Sequence, residues 1–180
     1  MPQQQTASTT NTPLVQPVPS ERERFINFYE RESATTRKVL AAFPAEQCEL
    51  KPHDRSNSAT GLARTFVIEQ ALILKALRGE DVIGSGWPAT PDGWNELVTT
   101  FDNGRTEILE LLRNSDDNVL NGTVAFFTGP KQMGQYSTTD FVNFMTHDQI
   151  HHRGQLSVYL RLADVKVPSI YGPSADEPWM

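Results

Sequence analysis

Cysteine is nearly absent from this 180-residue chain: Cys48 is its single cysteine, so a disulfide framework within the chain is excluded. No run approaches the ~20 apolar residues that a bilayer-spanning helix requires. Acidic residues outnumber basic ones, the net charge is -6, and no basic patch offsets it, so nucleic-acid binding is not expected. The N-terminal segment lacks the basic and apolar parts of a signal peptide. We therefore expect a cytoplasmic protein without membrane or nucleic-acid partners.

The overall composition is typical of one globular domain. Hydrophobic residues make up 38% of the chain and charged residues 21%, which is enough apolar material for a single core. Residues 1–19 are rich in Gln, Thr and Pro and predict a disordered tail. Residues 20–180 are then the folded domain.

Four segments of the domain place apolar residues at helical spacing. The first begins with a capping box made by Ser20 and Glu23. The third has Thr90 as its cap and Pro91 at its first position, where a missing N–H group costs nothing. The predicted helices run from Ser20 to about Phe43, from Ser58 to about Arg78, from Thr90 to about Arg113 and from Ser137 to about Ala163.

A different pattern separates the third and fourth helices. Asn121-Gly122 lies between two short apolar stretches, residues 119–120 and 124–126, which is a strong signal for a tight β-hairpin turn. The expected fold class is therefore all-α: a four-helix bundle with a short β-hairpin between its third and fourth helices.

Three of the four histidines fall within one predicted helix, at residues 147–152. His147 and His151 are four positions apart, so their rings project from one helix face about 6 Å from each other. Two imidazoles at that spacing can share one cation with bonds of about 2.1 Å. His152 is rotated by roughly 100° from His151 and is not expected to join them. Paired imidazoles suit zinc, nickel, iron or copper better than magnesium or calcium.

The same region resembles the C-terminal signature of the DinB/YfiT-like family. The resemblance is carried by HDQIHHRGQL at residues 147–156, YLRL at 159–162 and YGPSADE at 171–177, and extends more loosely over residues 20–177. It implies a four-helix bundle, often a homodimer, with a three-histidine metal site facing a pocket. His147 and His151 match the two histidines of the family's last helix.

The sequence departs from this pattern on the second helix. Thr65 stands where the resemblance implies the third histidine, and a neutral threonine is a poor metal ligand. Glu69, one turn further on the same face, can supply a carboxylate instead, and His53 is a more remote candidate. Two alternatives stay open: a divalent-metal site, zinc or nickel, made by His147, His151 and Glu69, or a degenerate site without metal.

Two classes of function follow from these alternatives. The first is a metal-dependent enzyme acting on a small molecule, either a hydrolase that activates water or a thiol transferase that activates a low-molecular-weight thiol. The resemblance favours the thiol, and the residues do not separate the two. The second is a metal-free, non-catalytic dimeric scaffold related to stress responses, which Thr65 favours.

Overall fold

Four helices and one hairpin make up the part of the chain that the computed structural model describes, residues 18–84 and 86–180. None of the helices in these ranges is long and apolar enough to cross a bilayer. The predicted fold class is confirmed, while the predicted tail lies outside the described residues except for residues 18 and 19. The elements are α1 (Glu21–Ala42), α2 (Ala59–Leu77), α3 (Trp94–Asn114), β1 (Thr123–Gly129), β2 (Gln132–Ser137) and α4 (Thr138–Leu162), with short 3-10 helices at Ala45–Gln47 and Asp117–Leu120.

Serine caps fix the start of three helices. The predicted capping box of α1 is confirmed: the amide of Glu23 donates to Ser20 Oγ over 3.2 Å, and the amide of Ser20 donates to Glu23 Oε2 over 2.8 Å. Ser58 caps α2 and Ser137 caps α4 in the same way. Each cap satisfies an amide that would otherwise lack a partner in the first helical turn.

The third helix begins later than predicted. Its N-cap is Gly93 and its first residue is Trp94, so Thr90 and Pro91 lie in the preceding loop. Trp94 is buried, and its ring packs against Phe43 with centroids 5.0 Å apart. Burying this large side chain outweighs the ~1 kcal/mol that a local cap contributes.

The hairpin is present, but its turn is not where the sequence pattern placed it. Pro130 and Lys131 connect β1 to β2, and Asn121-Gly122 precedes β1. Proline is preorganised for the first turn position, and Lys131 takes the positive φ of 60° at the second. Gly122 instead accepts the amide of Thr138 at the start of α4, and a Cβ at residue 122 would approach Thr138 Oγ1 to 2.6 Å.

The bundle places α1 and α2 diagonally, so that each packs against both α3 and α4. Two apolar clusters fill it. One, near the hairpin, includes Phe25, Ile73 and Phe141, and the other, at the opposite end, includes Leu40, Phe66 and Leu156. Along α1, α2 and α4 the buried residues between these clusters are polar. This polar layer comprises Glu32, Ser33, Thr36, Glu69, Gln70, Thr146, Gln149 and Arg153.

A buried ion pair crosses the polar layer and holds α4 against α1. Arg153, 1% exposed, donates to Glu32 Oε2 and to the Glu32 carbonyl over 2.9 Å each. The Tyr171 hydroxyl donates to the same carboxylate over 2.6 Å. Burial by itself opposes ionisation of Glu32, but the hydrogen bonds from Tyr171 and Arg153 outweigh it and lower its pKa.

Replacement of Arg153 tests how much this pair contributes. Arg153→Met keeps the length of the side chain but leaves the Glu32 carboxylate buried without its cation. We expect the free energy of unfolding in urea at neutral pH to fall by about 3–5 kcal/mol. Tyr171→Phe removes one hydrogen bond and should cost about 1 kcal/mol. Equal losses in the two variants would contradict a dominant role for the ion pair.

Candidate metal centre

Three ionisable side chains from α2 and α4 meet at one side of the polar layer. They are Glu69 of α2 and Asp148 and His152 of α4, and their ligand atoms all lie within 4.8 Å of one another. Nε2 of His152 is 3.6 Å from Asp148 Oδ2 and 4.0 Å from Glu69 Oε1. Within residues 18–84 and 86–180, no other set of three His, Cys, Asp or Glu side chains comes this close.

The helical phase of α4 brings Asp148 and His152 together. The two residues are four positions apart and therefore lie one turn from each other on the same face. Leu156, four positions beyond His152, is fully buried, as is Phe141, seven positions before Asp148. The face that carries the pair is therefore turned toward the bundle interior, where α2 presents Glu69.

The two histidines predicted as ligands lie on a different face of α4. His147 is exposed, its Nδ1 bonds to the Asn143 carbonyl over 2.7 Å, and its ring packs against Phe28. His151 is also exposed, and its Nε2 bonds to Gln155 over 2.9 Å. The structure thus brings one predicted ligand, Glu69, into the cluster and leaves His147 and His151 outside it.

The remaining candidates on the second helix and its preceding loop are also apart from the cluster. Thr65 lies one turn before Glu69, and its hydroxyl donates to the Gly61 carbonyl over 3.1 Å. His53 is exposed, and its Nδ1 accepts the amide of Arg55. Neither side chain offers a ligand atom to Glu69.

Glu69 is the most unusual group of the cluster. It is 3% exposed, and neither of its carboxylate oxygens has a hydrogen-bond partner among the described residues. Burial, together with the neighbouring Asp148 carboxylate, raises the pKa of Glu69 well above its ordinary value. Without a cation, this side chain is therefore held as the neutral acid.

Asp148 and His152 shift each other in opposite directions. The interaction with His152 lowers the pKa of Asp148, although partial burial opposes this. The interaction with Asp148 raises the pKa of His152, again against burial, and Gln155 contributes in the same direction. The two residues are thus a half-buried ion pair next to a neutral buried acid.

This set of groups fits a divalent cation. Two atoms bound to one cation at about 2.1 Å lie at most about 4.2 Å apart, and the separations of 3.6 and 4.0 Å are within that limit. Two carboxylates would neutralise the charge of the cation. A cation would also give the buried oxygens of Glu69 the partner they lack, since buried charges are normally paired or coordinated. Glu69, Asp148 and His152 can therefore hold a metal ion as three protein ligands.

A cleft of about 400 Å³ reaches the cluster from the outside. It is lined by two α4 residues close to the cluster, His152 and Gln155, and by further residues of α4 and of the loop before α2: Pro52, Ser56, Asn57, Val158 and Tyr159. Its size suits a small molecule. None of these side chains carries a fixed charge, and His152 contributes an imidazole to the wall of the cleft.

The sequence contained a signal for the two residues that the spacing argument overlooked. Asp148 and His152 have the same four-residue spacing as His147 and His151, but they are in phase with Phe141 and Leu156. His147 and His151 are in phase with Phe144, which is 40% exposed. Phase relative to the whole apolar stripe, rather than residue type, identifies the inward pair.

A sequence profile described as the DinB family matches residues 8–179. YrdA, an uncharacterised protein of Bacillus subtilis (strain 168), is 50% identical over 34 residues, which span 19% of this chain and 20% of YrdA.

Solved structures have the same fold. A DinB-like protein from Bacillus cereus ATCC 10987 is similar with a TM-score of 0.66 and 21% identity, over 82% of this chain and 95% of that chain. The DinB-like protein YjoA from Bacillus subtilis gives a TM-score of 0.65 and 15% identity, over 82% and 97%. A structure assigned to the same family, from Exiguobacterium sibiricum 255-15, gives 0.59 and 18%, over 85% and 98%.

Glu69→Gln tests the electrostatics of the metal-free cluster. The folded chain holds the Glu69 proton more tightly than the unfolded chain, so this group stabilises the fold most below the ordinary glutamate pKa. That contribution is lost as the pH rises toward the raised pKa of the folded state. In chelator at neutral pH, we expect the variant to melt at least about 2 °C above wild type, with a smaller difference in acid.

Calorimetry across pH measures this difference. Glu110→Gln, a replacement of an exposed glutamate on α3, is the matched control and should leave the melting temperature unchanged. Identical pH profiles for Glu69→Gln and wild type would contradict the raised pKa.

Proposed function

This chain belongs to the DinB family, and from that membership and its buried acid–histidine cluster we propose a metal-dependent protein that acts on a small molecule. The observation that carries the proposal is the Glu69 carboxylate, which is buried with no hydrogen-bond partner among the described residues and faces Asp148 and His152. Ionising such a group without a partner is costly, and a cation removes that cost.

The ligand set that we propose is Glu69, Asp148 and His152, in place of the set His147, His151 and Glu69 that the spacing predicted. One imidazole and two carboxylates change the expected metal. Nickel and copper favour nitrogen-rich sites, whereas manganese favours oxygen and zinc accepts both. We therefore favour zinc or manganese over nickel.

The cleft beside His152 gives the proposed site a route for substrate. Three protein ligands leave a coordination position of a four-coordinate cation open, as in catalytic rather than structural zinc sites. A divalent cation bound there would lower the pKa of water or of a thiol and supply a nucleophile at neutral pH. The protein's own residues would bind the rest of the molecule through the uncharged walls of the cleft. Hydrolysis and thiol transfer are both compatible with this arrangement.

A metal-free, non-catalytic scaffold is the second candidate. One observation favours it: with Glu69 neutral, the cluster is electrostatically balanced by the Asp148–His152 ion pair alone. The two candidates differ in whether the purified chain binds a divalent cation at this cluster.

Metal titration of single variants separates the candidates. We expect wild type to bind one zinc ion in competition with a chromophoric chelator, and Asp148→Asn or His152→Ala to weaken binding at least 100-fold, because each removes one of three ligands. His147→Ala is the matched control, since that ring lies outside the cluster, and it should bind zinc as wild type does. Absence of saturable zinc or manganese binding in wild type would favour the scaffold.

The same titration with cobalt distinguishes the two reactions. A low-molecular-weight thiol such as glutathione that reaches the open position would add a sulfur-to-cobalt charge-transfer band to the spectrum. We expect this band in wild type and His147→Ala but not in His152→Ala. Weak cobalt bands that do not respond to thiol would favour hydrolysis over thiol transfer.

We also propose that the chain forms a homodimer through the outer face of α4. Three large apolar residues are exposed on this helix: Phe144 by 40%, Val158 by 57% and Leu162 by 50%. Between them lies Gly154, where an added Cβ would meet no atom within 4 Å. A helix face with exposed apolar residues on both sides of a small residue can accept the same face of a second copy. Because Val158 also lines the cleft, that copy would border it.

Light scattering tests the dimer. Wild type should have twice the 20.2 kDa mass of the chain. Val158→Glu places like charges opposite each other and should yield monomers, whereas Thr99→Glu, an exposed change on α3, should not. A monomeric wild type at micromolar concentration would rule the dimer out without affecting the metal proposal.

A further inference from the structure

The carboxamide of Gln155 lies between two imidazole rings. Its Oε1 is 3.2 Å from Nδ1 of His152, and its Nε2 is 2.9 Å from Nε2 of His151. An amide oxygen only accepts hydrogen bonds and an amide nitrogen only donates them. With the amide in this orientation, the two contacts match a proton on Nδ1 of His152 and a lone pair on Nε2 of His151.

The position of that proton decides what His152 offers to the cluster. A neutral imidazole carries one proton, so a proton on Nδ1 leaves the lone pair on Nε2. Nε2 is the atom that lies 3.6 Å from Asp148 and 4.0 Å from Glu69. In the ion pair with Asp148, Nε2 also carries a proton. When a cation displaces that proton, the contact with Gln155 keeps the other proton on Nδ1 and leaves the Nε2 lone pair between the two carboxylates.

Without this contact, the local electrostatics favour the opposite tautomer. The Asp148 carboxylate next to Nε2 attracts a proton to that nitrogen, because a carboxylate accepts a hydrogen bond and repels a lone pair. A proton on Nε2 would occupy the position that a cation needs. Some group on the Nδ1 side must therefore act against Asp148, and among the described residues Gln155 is the group in contact with Nδ1.

His151 determines which end of the amide faces His152. If the amide of Gln155 turned over, its oxygen would face the Nε2 lone pair of His151 and its NH₂ group would face His152. By accepting from Gln155 Nε2, His151 keeps the oxygen directed at His152. The three residues follow one another closely on α4, and the ring centroids of His151 and His152 are 5.2 Å apart. The helix therefore keeps the amide and the two rings side by side.

We propose that Gln155, oriented by His151, is a positioning residue that holds His152 in the tautomer competent for cation binding. This inference rests on the proposed metal function and gives His151 a role other than that of a ligand. It also predicts that a molecule entering the cleft meets the amide of Gln155 directly, since Gln155 lines the cleft beside His152. A polar group that displaced the amide would change the tautomer of His152.

The tautomer can be read in the metal-free protein from the ring nitrogens of His152. Long-range ¹H–¹⁵N correlation spectra, recorded in chelator at a pH well above the His152 titration, distinguish the protonated from the unprotonated nitrogen. We expect wild type to have its proton on Nδ1. Gln155→Leu should move it to Nε2, and Gln155→Glu, which keeps an acceptor for Nδ1–H, should retain the wild-type tautomer.

Two further variants complete the experiment. His151→Phe should shift the tautomer in the same direction as Gln155→Leu but by less, because the amide remains free to turn. Gln135→Leu, a change of an exposed glutamine on β2, is the matched control and should leave the spectrum of His152 unchanged. No response to His151→Phe would remove His151 from the proposal.

Metal affinity supplies the second measurement. Gln155→Leu should bind zinc 10- to 100-fold more weakly than wild type, a loss typical of residues that orient a metal-binding histidine, and Gln155→Glu should restore the affinity. An unchanged tautomer in Gln155→Leu would overturn the inference even if wild type binds zinc. A wild type that binds no zinc would instead overturn the proposed function, and the tautomer of the metal-free protein would still be decided by the spectra.

Discussion

A carboxylate buried without a hydrogen-bond partner is the constraint on which the rest of this structure depends. Glu69 lies between two apolar clusters, and its oxygens contact no donor among the described residues. A group of this kind either keeps its proton or acquires a cation, because an isolated buried charge is too costly. Both outcomes involve the neighbouring pair Asp148 and His152. The case for a cation at this cluster therefore follows from the burial of Glu69 and does not depend on likeness to other proteins.

The same polar layer contains a second buried charge that is fully satisfied. Arg153 lies next to His152 in the sequence, and it pairs on the α1 side with Glu32 and Tyr171. Anchoring Arg153 there fixes the rotation of α4, so that the preceding residue is turned toward α2. Glu32 is thus ionised, paired with Arg153 and used to orient the helix, whereas Glu69 keeps its proton next to Asp148. The difference between them separates a structural ion pair from a candidate binding site.

Residues around the three proposed ligands determine how the site is reached from the surface and how the ring of His152 is held. The cleft reaches His152 from the surface, and Gln155 contacts both His152 and the space of the cleft. A histidine that must offer a lone pair beside two carboxylates needs an acceptor on its other nitrogen. His151, predicted as a ligand because of its spacing, is placed where it supports that acceptor. A histidine such as His151 can therefore support a metal-binding residue without being a ligand itself.

The sequence by itself determined the four helices, the capping box of α1, the presence of a hairpin and Glu69 as a candidate ligand, because periodicity, capping chemistry and a short family signature are local properties. It placed the hairpin turn and the start of α3 incorrectly, where Pro130-Lys131 and the burial of Trp94 outweigh local preferences. Only the tertiary structure decided which of the pairs His147–His151 and Asp148–His152 lies next to Glu69. Both pairs have the same spacing on one helix, and which of them faces α2 depends on how α4 is rotated by packing and by the Arg153–Glu32 contact.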